Sequence, residues 1–173
     1  LFTKRCEVAH VEALGPFRLI RLCGPSLRAA AWTPGCKLEL FLGGWVKRAY
    51  TPASWHEDEV ELVAYVHGDG PGSVWAAEAC VGQRLAAFGP RASLRLDGLE
   101  RPAALIGDET CLGLLRALRS TAAGRNVVHA ALEVTSIAAT QPALDRLELD
   151  GVRLFERRDG DAHLRDVEAW FDG

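Results

Sequence analysis

Two short stretches carry residue types at spacings that suit a phosphorylated, partly aromatic ligand. The first is Arg48-Ala49-Tyr50-Thr51-Pro52, at the end of a stretch with strand character. An arginine can meet phosphate oxygens through a forked, charge-assisted pair of hydrogen bonds. Tyr50 lies two residues on, so on a strand it shares a face with Arg48 and offers a flat stacking surface. Thr51 adds a hydroxyl and a backbone N–H for a heteroatom on a ring. The same residues equally suit a surface arginine, a core tyrosine and a threonine that ends a strand.

The second stretch is His67-Gly68-Asp69-Gly70-Pro71-Gly72-Ser73-Val74-Trp75-Ala76, which leaves a strand and enters a helix. Glycines let backbone come close to a ligand. A helix beginning near Gly72 offers unpaired N–H groups and the positive end of its dipole, which suits a pyrophosphate. A plain turn with Ser73 capping the helix explains the same residues.

The elements that must hold these stretches change character along the chain. Up to about residue 98, short strand-like segments recur: Glu7 to Leu14, Phe17 to Leu22, Lys37 to Phe41, Val60 to His67, Arg84 to Phe88 and Ser93 to Leu96. Turn chemistry separates them, as at Gly15-Pro16, Gly24-Pro25 and Gly43-Gly44. Six strands at this spacing predict a six-stranded antiparallel barrel, with one helix from Gly72 to about Cys80. From about residue 102, strand and helix alternate: Ala103 to Ile106, Glu109 to Arg119, Asn126 to Thr135, Gln141 to Leu147, Val152 to Glu156 and Asp161 to Phe171. That predicts a three-layer α/β unit with a parallel sheet. The boundary is expected between residues 98 and 99.

Composition narrows the function classes. The 173 residues are 49% hydrophobic and 25% charged, with net charge −3, which excludes a disordered chain. No apolar run reaches the roughly 18 residues of a membrane span. No basic stripe with interleaved aromatics appears, so no nucleic-acid partner and no membrane partner are expected. Cys6, Cys23, Cys36, Cys80 and Cys111 are odd in number, widely spaced and without a zinc-like pattern, so reduced thiols in a cytoplasmic protein are expected and no metal site. His10, His56, His129 and His163 are scattered. Trp45 and Trp55 flank the first motif.

The order of motifs resembles a known family. Arg48-x-Tyr50-Thr51-Pro52, the His67 to Ala76 segment, Gly89-Pro90-Arg91 and then Gly107-Asp108-Glu109-Thr110 resemble the siderophore-interacting proteins, FAD-dependent ferric-siderophore reductases of the ferredoxin–NADP reductase superfamily. The resemblance implies a Greek-key FAD-binding barrel over residues 1–98 and an NAD(P)-binding type of α/β unit over 99–173. It implies FAD as cofactor, NAD(P)H as donor and a ferric siderophore as substrate. Arg48 would pair with the pyrophosphate, Tyr50 would stack on the isoalloxazine and Thr51 would hydrogen-bond near flavin N5. Those last two are the residues expected at the reacting ring. His67 and Gly68 would lie by the phosphates and the adenosine side, with Gly72, Ser73 and Trp75 at the helix start. The hydride donor would approach beside Gly107, Asp108, Glu109 and Thr110, after the first strand of a parallel sheet, where such sheets bind ligands.

The chain also departs from the family pattern. Its α/β part is about 75 residues, short for a domain, which points to a shortened nucleotide-binding unit. Ala53 stands where the family often has an arginine, and Cys111-Leu112-Gly113-Leu114 replaces a proline-containing turn. Lysines are few, so Lys47, Arg48 and Arg91 would supply the positive charge for an anionic siderophore. Two other functions fit the same residues. One is a family-derived protein turned to a non-redox reaction, a cyclase or isomerase acting on a small apolar substrate in the former flavin cleft. The other is a flavin- or siderophore-binding module without turnover.

Overall fold

The computed structural model describes residues 3–28, 30–95, 102–119, 121 and 127–172. The boundary expected between residues 98 and 99, and the ends of two expected strands at Leu96 and Asn126, lie outside them. Ten strands are described: β1 Lys4–Leu14, β2 Phe17–Cys23, β3 Cys36–Phe41, β4 Lys47–Tyr50, β5 Pro52–His56, β6 Glu59–Tyr65, β7 Arg84–Ala92, β8 Ala103–Asp108, β9 Val127–Val134 and β10 Val152–Glu156. Four α-helices accompany them: α1 Pro71–Glu78, α2 Leu112–Leu118, α3 Ile137–Arg146 and α4 Leu164–Asp172.

The first seven strands form one antiparallel sheet in the order β4-β3-β7-β1-β2-β6-β5. Its two outermost strands, β4 and β5, are separated in sequence by Thr51 alone. The sheet must therefore curl until its edges meet, and Thr51 sits at the seam. Counted as one strand broken at Thr51, β4 and β5 complete the six-stranded barrel that the sequence predicts. The segment Ser93 to Leu96 is not part of it: its described residues, 93–95, are irregular. The strand from Arg84 instead runs on to Ala92.

Strand periodicity explains how the barrel carries a second body. In β2, Ile20 and Leu22 point into the barrel, while Phe17 and Leu19 point outward. In β6, Val60, Leu62 and Ala64 point in and Val63 points out. Both faces of these strands are buried, so each reads as a nearly continuous apolar run. The outward residues pack on Leu112 and Leu115 of α2, Ala143 and Leu144 of α3, and Leu132 and Val134 of β9. The barrel and the α/β part thus share one core.

The second sheet is parallel, ordered β10-β9-β8. Its barrel-side face lies under α2 and α3. On the other face Ala131 and Phe155 meet Val167, Trp170 and Phe171 of α4, spaced three and four apart as a helix face requires. This is the three-layer unit that the alternating pattern predicts. Helix α3 starts earlier than the expected Gln141. Ser136 caps it by accepting from the Ala139 N–H, and Pro142 lies inside the helix as its sixth residue, past the first turn where a missing N–H costs nothing. The five cysteines carry no disulfide; Cys6 and Cys36 are buried and Cys80 is exposed. Burial pushes the Cys6 thiol up to about 11, helped by neighbouring Cys23, so it behaves as an apolar filler.

Candidate active site

The barrel seam and the start of α1 enclose a cleft of about 530 Å³. Its walls hold Arg48, Tyr50 and Thr51 from the seam, His67, Gly68, Gly72 and Ser73 from the approach to α1, and Thr110 from the α/β part. Two motifs about twenty residues apart meet because β4 and β6 converge at the closing edge of the barrel. Val63 and Tyr65, outside both motifs, line it too, as does Asp69 of the second motif, to which the sequence reading gave no role.

Arg48 and Tyr50 lie on one face of β4, packed over the first turn of α1. A Cβ placed on Gly72 would stand 3.2 Å from Arg48 Cγ and 3.3 Å from Tyr50 Oη. Glycine there keeps the floor of the cleft bare while both side chains cross it. The Tyr50 hydroxyl donates to the Gly72 carbonyl at 3.3 Å. Burial pushes this phenol up to about 12, against the opposing pull of Arg48, so it stays neutral at physiological pH. Trp75 does not line the cleft. It is buried beneath Tyr50, ring centroids 5.5 Å apart and tilted by 57°, and it fixes the tyrosine ring from behind.

Ser73 does not cap its own helix. Its Oγ accepts from the His67 N–H at 2.7 Å and ties the loop to the helix start. Helix geometry leaves the N–H groups of Gly72 and Ser73 without intrahelical partners on the cleft side. The His67 ring stacks on Tyr65, centroids 5.0 Å apart at 19°, forming a second aromatic wall. Tyr65 was legible as a strand residue, and the fold places it at the end of β6, opposite Phe17 of β2, in the cleft wall.

Charge is unevenly distributed. Arg48 Nη1 donates to the Lys47 carbonyl at 2.8 Å, and among the described residues no acid lies within ion-pairing reach of it. Lys47 and Arg91 both pair with Glu39, at 3.5 and 3.7 Å. Of the three cations expected to attract an anion, Arg48 is the one whose charge remains uncompensated there. Asp69 places one exposed carboxylate on the same rim.

Of the four residues expected at the donor side, Thr110 borders the cleft and the others serve the fold. Gly107 is needed because a Cβ would fall 2.3 Å from Cys111 Sγ. Asp108 accepts from the Thr110 N–H at 2.9 Å and from its hydroxyl, capping the turn into α2. Glu109 is buried and takes a forked pair of bonds from Arg157, at 3.0 and 2.9 Å, and another from the Thr135 N–H at 2.6 Å. Thr135 Oγ1 in turn bonds the Tyr65 hydroxyl at 3.1 Å, joining this network to the cleft wall.

Burial raises the Glu109 carboxyl, and the bonds from Arg157 and Thr135 more than offset this, holding it at about 2. Its ordinary value is 4.5. A depressed carboxylate stabilises the fold above its unfolded value, so this contribution fades as pH falls from about 4.5 towards 2. Glu109→Gln is expected to cost about 1–3 kcal/mol near neutrality, less than the roughly 3–5 kcal/mol of a fully buried pair because Arg157 is partly exposed. The variant should also lose part of the acid sensitivity. Denaturant unfolding at neutral and acid pH checks both, and an unchanged acid slope contradicts the account.

Residues 44–94 match the family model of the siderophore-interacting FAD-binding domain. The matched segment, under a third of the chain, is similar to that FAD-binding domain. The matched span runs from the β3–β4 turn through both cleft motifs to the end of β7. No curated protein matches the chain. Among solved structures it is similar to an intact type IV self-sufficient cytochrome P450 monooxygenase (19% identity, 99% of this chain, 23% of that one, TM-score 0.76). It is also similar to the siderophore-interacting protein SipS from Aeromonas hydrophila (23% identity, 97% and 73% of the two chains, TM-score 0.71). A third is phthalate dioxygenase reductase (14% identity, 92% and 53%, TM-score 0.74). The chain thus spans under a quarter of the first of these, and at such identities the likeness is one of fold. Among the described residues no helix is long and apolar enough to cross a membrane.

Proposed function

We propose that the chain binds FAD in the Arg48–Tyr50–Gly72 cleft and serves the reduction of ferric siderophores by NAD(P)H. The observation that carries this is the meeting of an uncompensated arginine, a fixed tyrosine ring and a bare helix start around one cleft of about 530 Å³. That size is usual for a cofactor site.

The residues present suit the group. Arg48 and the N–H groups of Gly72 and Ser73 would hold the pyrophosphate. Tyr50, backed by Trp75, would stack on the isoalloxazine, and Thr51 at the seam would hydrogen-bond its edge. His67 and Gly68 would border the phosphates. FAD held there would supply hydride acceptance and one-electron transfer, the chemistry that reduction of a siderophore's ferric iron needs. The protein's part is to bind, orient and keep the Tyr50 phenol neutral beside the ring.

The fit to the donor is narrower. In the Gly107 to Thr110 turn, Asp108 and Glu109 are committed to a cap and to Arg157. Thr110 alone of the four meets the cleft. This turn would form the wall on which the nicotinamide rests, and no step is assigned to it.

Anaerobic mixing of the FAD-loaded chain with NADH or NADPH tests the reading. The visible flavin absorbance should bleach and then return when a ferric siderophore is added, with ferrous iron caught by a chelator. Flavin that binds but bleaches with neither nucleotide contradicts the reductase reading and supports a binding module.

A further inference from the structure

The face that the barrel turns to the α/β part changes from apolar to charged within one step of the strand period. In β2, Leu19 packs outward into the shared core and Arg21 is the next residue on that face. In β6, Val63 packs outward and Glu61 is its neighbour on the same face. Helices α2 and α3 cover the apolar end and leave a cavity of about 390 Å³ over the charged end. Their C-terminal ends roof it with Arg116, Arg146 and the buried Leu147. None of these residues lines the Arg48–Tyr50–Gly72 cleft.

The floor of this cavity is ordered. Arg21, Glu61 and Ser54 stand opposite one another on three adjacent strands, a row about 10 Å long. An arginine and a glutamate opposed in this way can close into an ion pair across the sheet. Here they do not. Among the described residues, the side chains of Arg21, Glu61 and Arg116 make no hydrogen bond and no ion pair. Arg146 differs: its Nε donates to both carboxylate oxygens of Glu12 at 3.1 Å, outside the cavity. Glu59 and His56 stand at the exposed rim. Inside, the half-buried guanidiniums of Arg21 and Arg116 face one half-buried carboxylate, and all three lack partners.

Those groups define their own complement. Each guanidinium offers a fork for a carboxylate, and Glu61 offers acceptors for an ammonium. We propose that the cavity binds an acidic amino acid, with its two carboxylates on Arg21 and Arg116, its ammonium on Glu61 and Ser54 as a further hydrogen-bond partner. Small-molecule sites of this size gather where two bodies of a fold meet. The site does not depend on the FAD reading.

Calorimetric titration of the full chain at neutral pH tests it with L-glutamate, with glutarate, which lacks the ammonium, and with γ-aminobutyrate, which lacks one carboxylate. L-glutamate should saturate one site per chain. Each analogue should bind at least about tenfold more weakly, because one charge-assisted contact is lost. Arg21→Gln and Arg116→Gln should each weaken L-glutamate about tenfold or more. Glu61→Gln should weaken L-glutamate but not glutarate, so that the two draw level. None of these side chains has a partner in the fold, so all three variants should unfold like the parent. No saturable binding of L-glutamate overturns the proposal. Glutarate bound as tightly as L-glutamate also overturns it, and makes the cavity a plain anion site. L-glutamate affinity unchanged in Arg21→Gln and Arg116→Gln overturns it by placing the ligand elsewhere. A chain that binds FAD but not L-glutamate loses this site alone, and one that binds L-glutamate but not FAD loses only the cleft reading.

Discussion

Arg48→Ala is expected to weaken FAD binding by about 10- to 100-fold while leaving the fold as stable as before. The magnitude follows from losing charge-assisted hydrogen bonds to a phosphate, about 1.5–3 kcal/mol. Stability should be spared because Arg48 is exposed and its recorded partner is the neighbouring Lys47 carbonyl, so no buried acid is orphaned. Arg48→Lys should recover part of the affinity, because a point charge replaces the fork. Titrations at low and high salt separate the contributions: the parent should lose affinity with salt more steeply than Arg48→Ala. An Arg48→Ala protein that binds FAD like the parent would remove the pyrophosphate from this strand.

The second large effect is expected away from the ligand. Gly113, in α2, faces the seam so closely that a Cβ would lie 2.6 Å from the Thr51 carbonyl oxygen. That contact is backbone against backbone, and no side chain can rotate to relieve it. Gly113→Ala must push α2 off the barrel. The expected cost is about 2–3 kcal/mol, as for other overpacked sites, or a fall in Tm of roughly 5–10 °C for a chain of this size. Thr51 lies at the break between β4 and β5, and Thr110 precedes α2 by two residues. The displaced helix therefore disturbs two cleft walls, and FAD affinity should fall with stability. Calorimetry and flavin titration on the same variant check this. A Tm equal to the parent's would mean that α2 is not seated on the seam as described.

Much of this architecture is legible in the sequence because local signals and packing agree. Alternating apolar residues flanked by glycine and proline mark β2, β3 and β6. The alternation of strand and helix after residue 102 marks the parallel unit. The seam is less legible. Lys47–Tyr50 and Pro52–His56 have little apolar alternation, since β4 is an exposed edge and β5 contains a bulge between Pro52 and Ser54. Their strand character comes from pairing with β3 and β6, a tertiary effect. The overlong β7 and the early start of α3 arise the same way, from neighbours that satisfy the backbone.

The cleft shows a similar division. Arg48, Tyr50, Thr51, His67, Gly68, Gly72 and Ser73 were named from type and spacing, and they line one cavity. Trp75 carried the same kind of signal, but it packs behind Tyr50. Spacing on a helix start fixes which residues are near, not which are in front. Tyr65 gave no motif signal at all, because its place depends on the register of β6 against β2. Glu109 looked like a ligand-side acid. Its role emerges only with Arg157, forty-eight residues later, which claims both carboxylate oxygens.

The most direct test of the central claim is an equilibrium titration of FAD into the full chain, read by flavin fluorescence. The account predicts saturable binding at one site per chain, with emission quenched as the ring stacks on Tyr50, and with the quenching lost in Tyr50→Ala. Absence of saturable binding, or quenching that survives in both Tyr50→Ala and Arg48→Ala, would contradict it. The cleft at the barrel seam would then not be a flavin site.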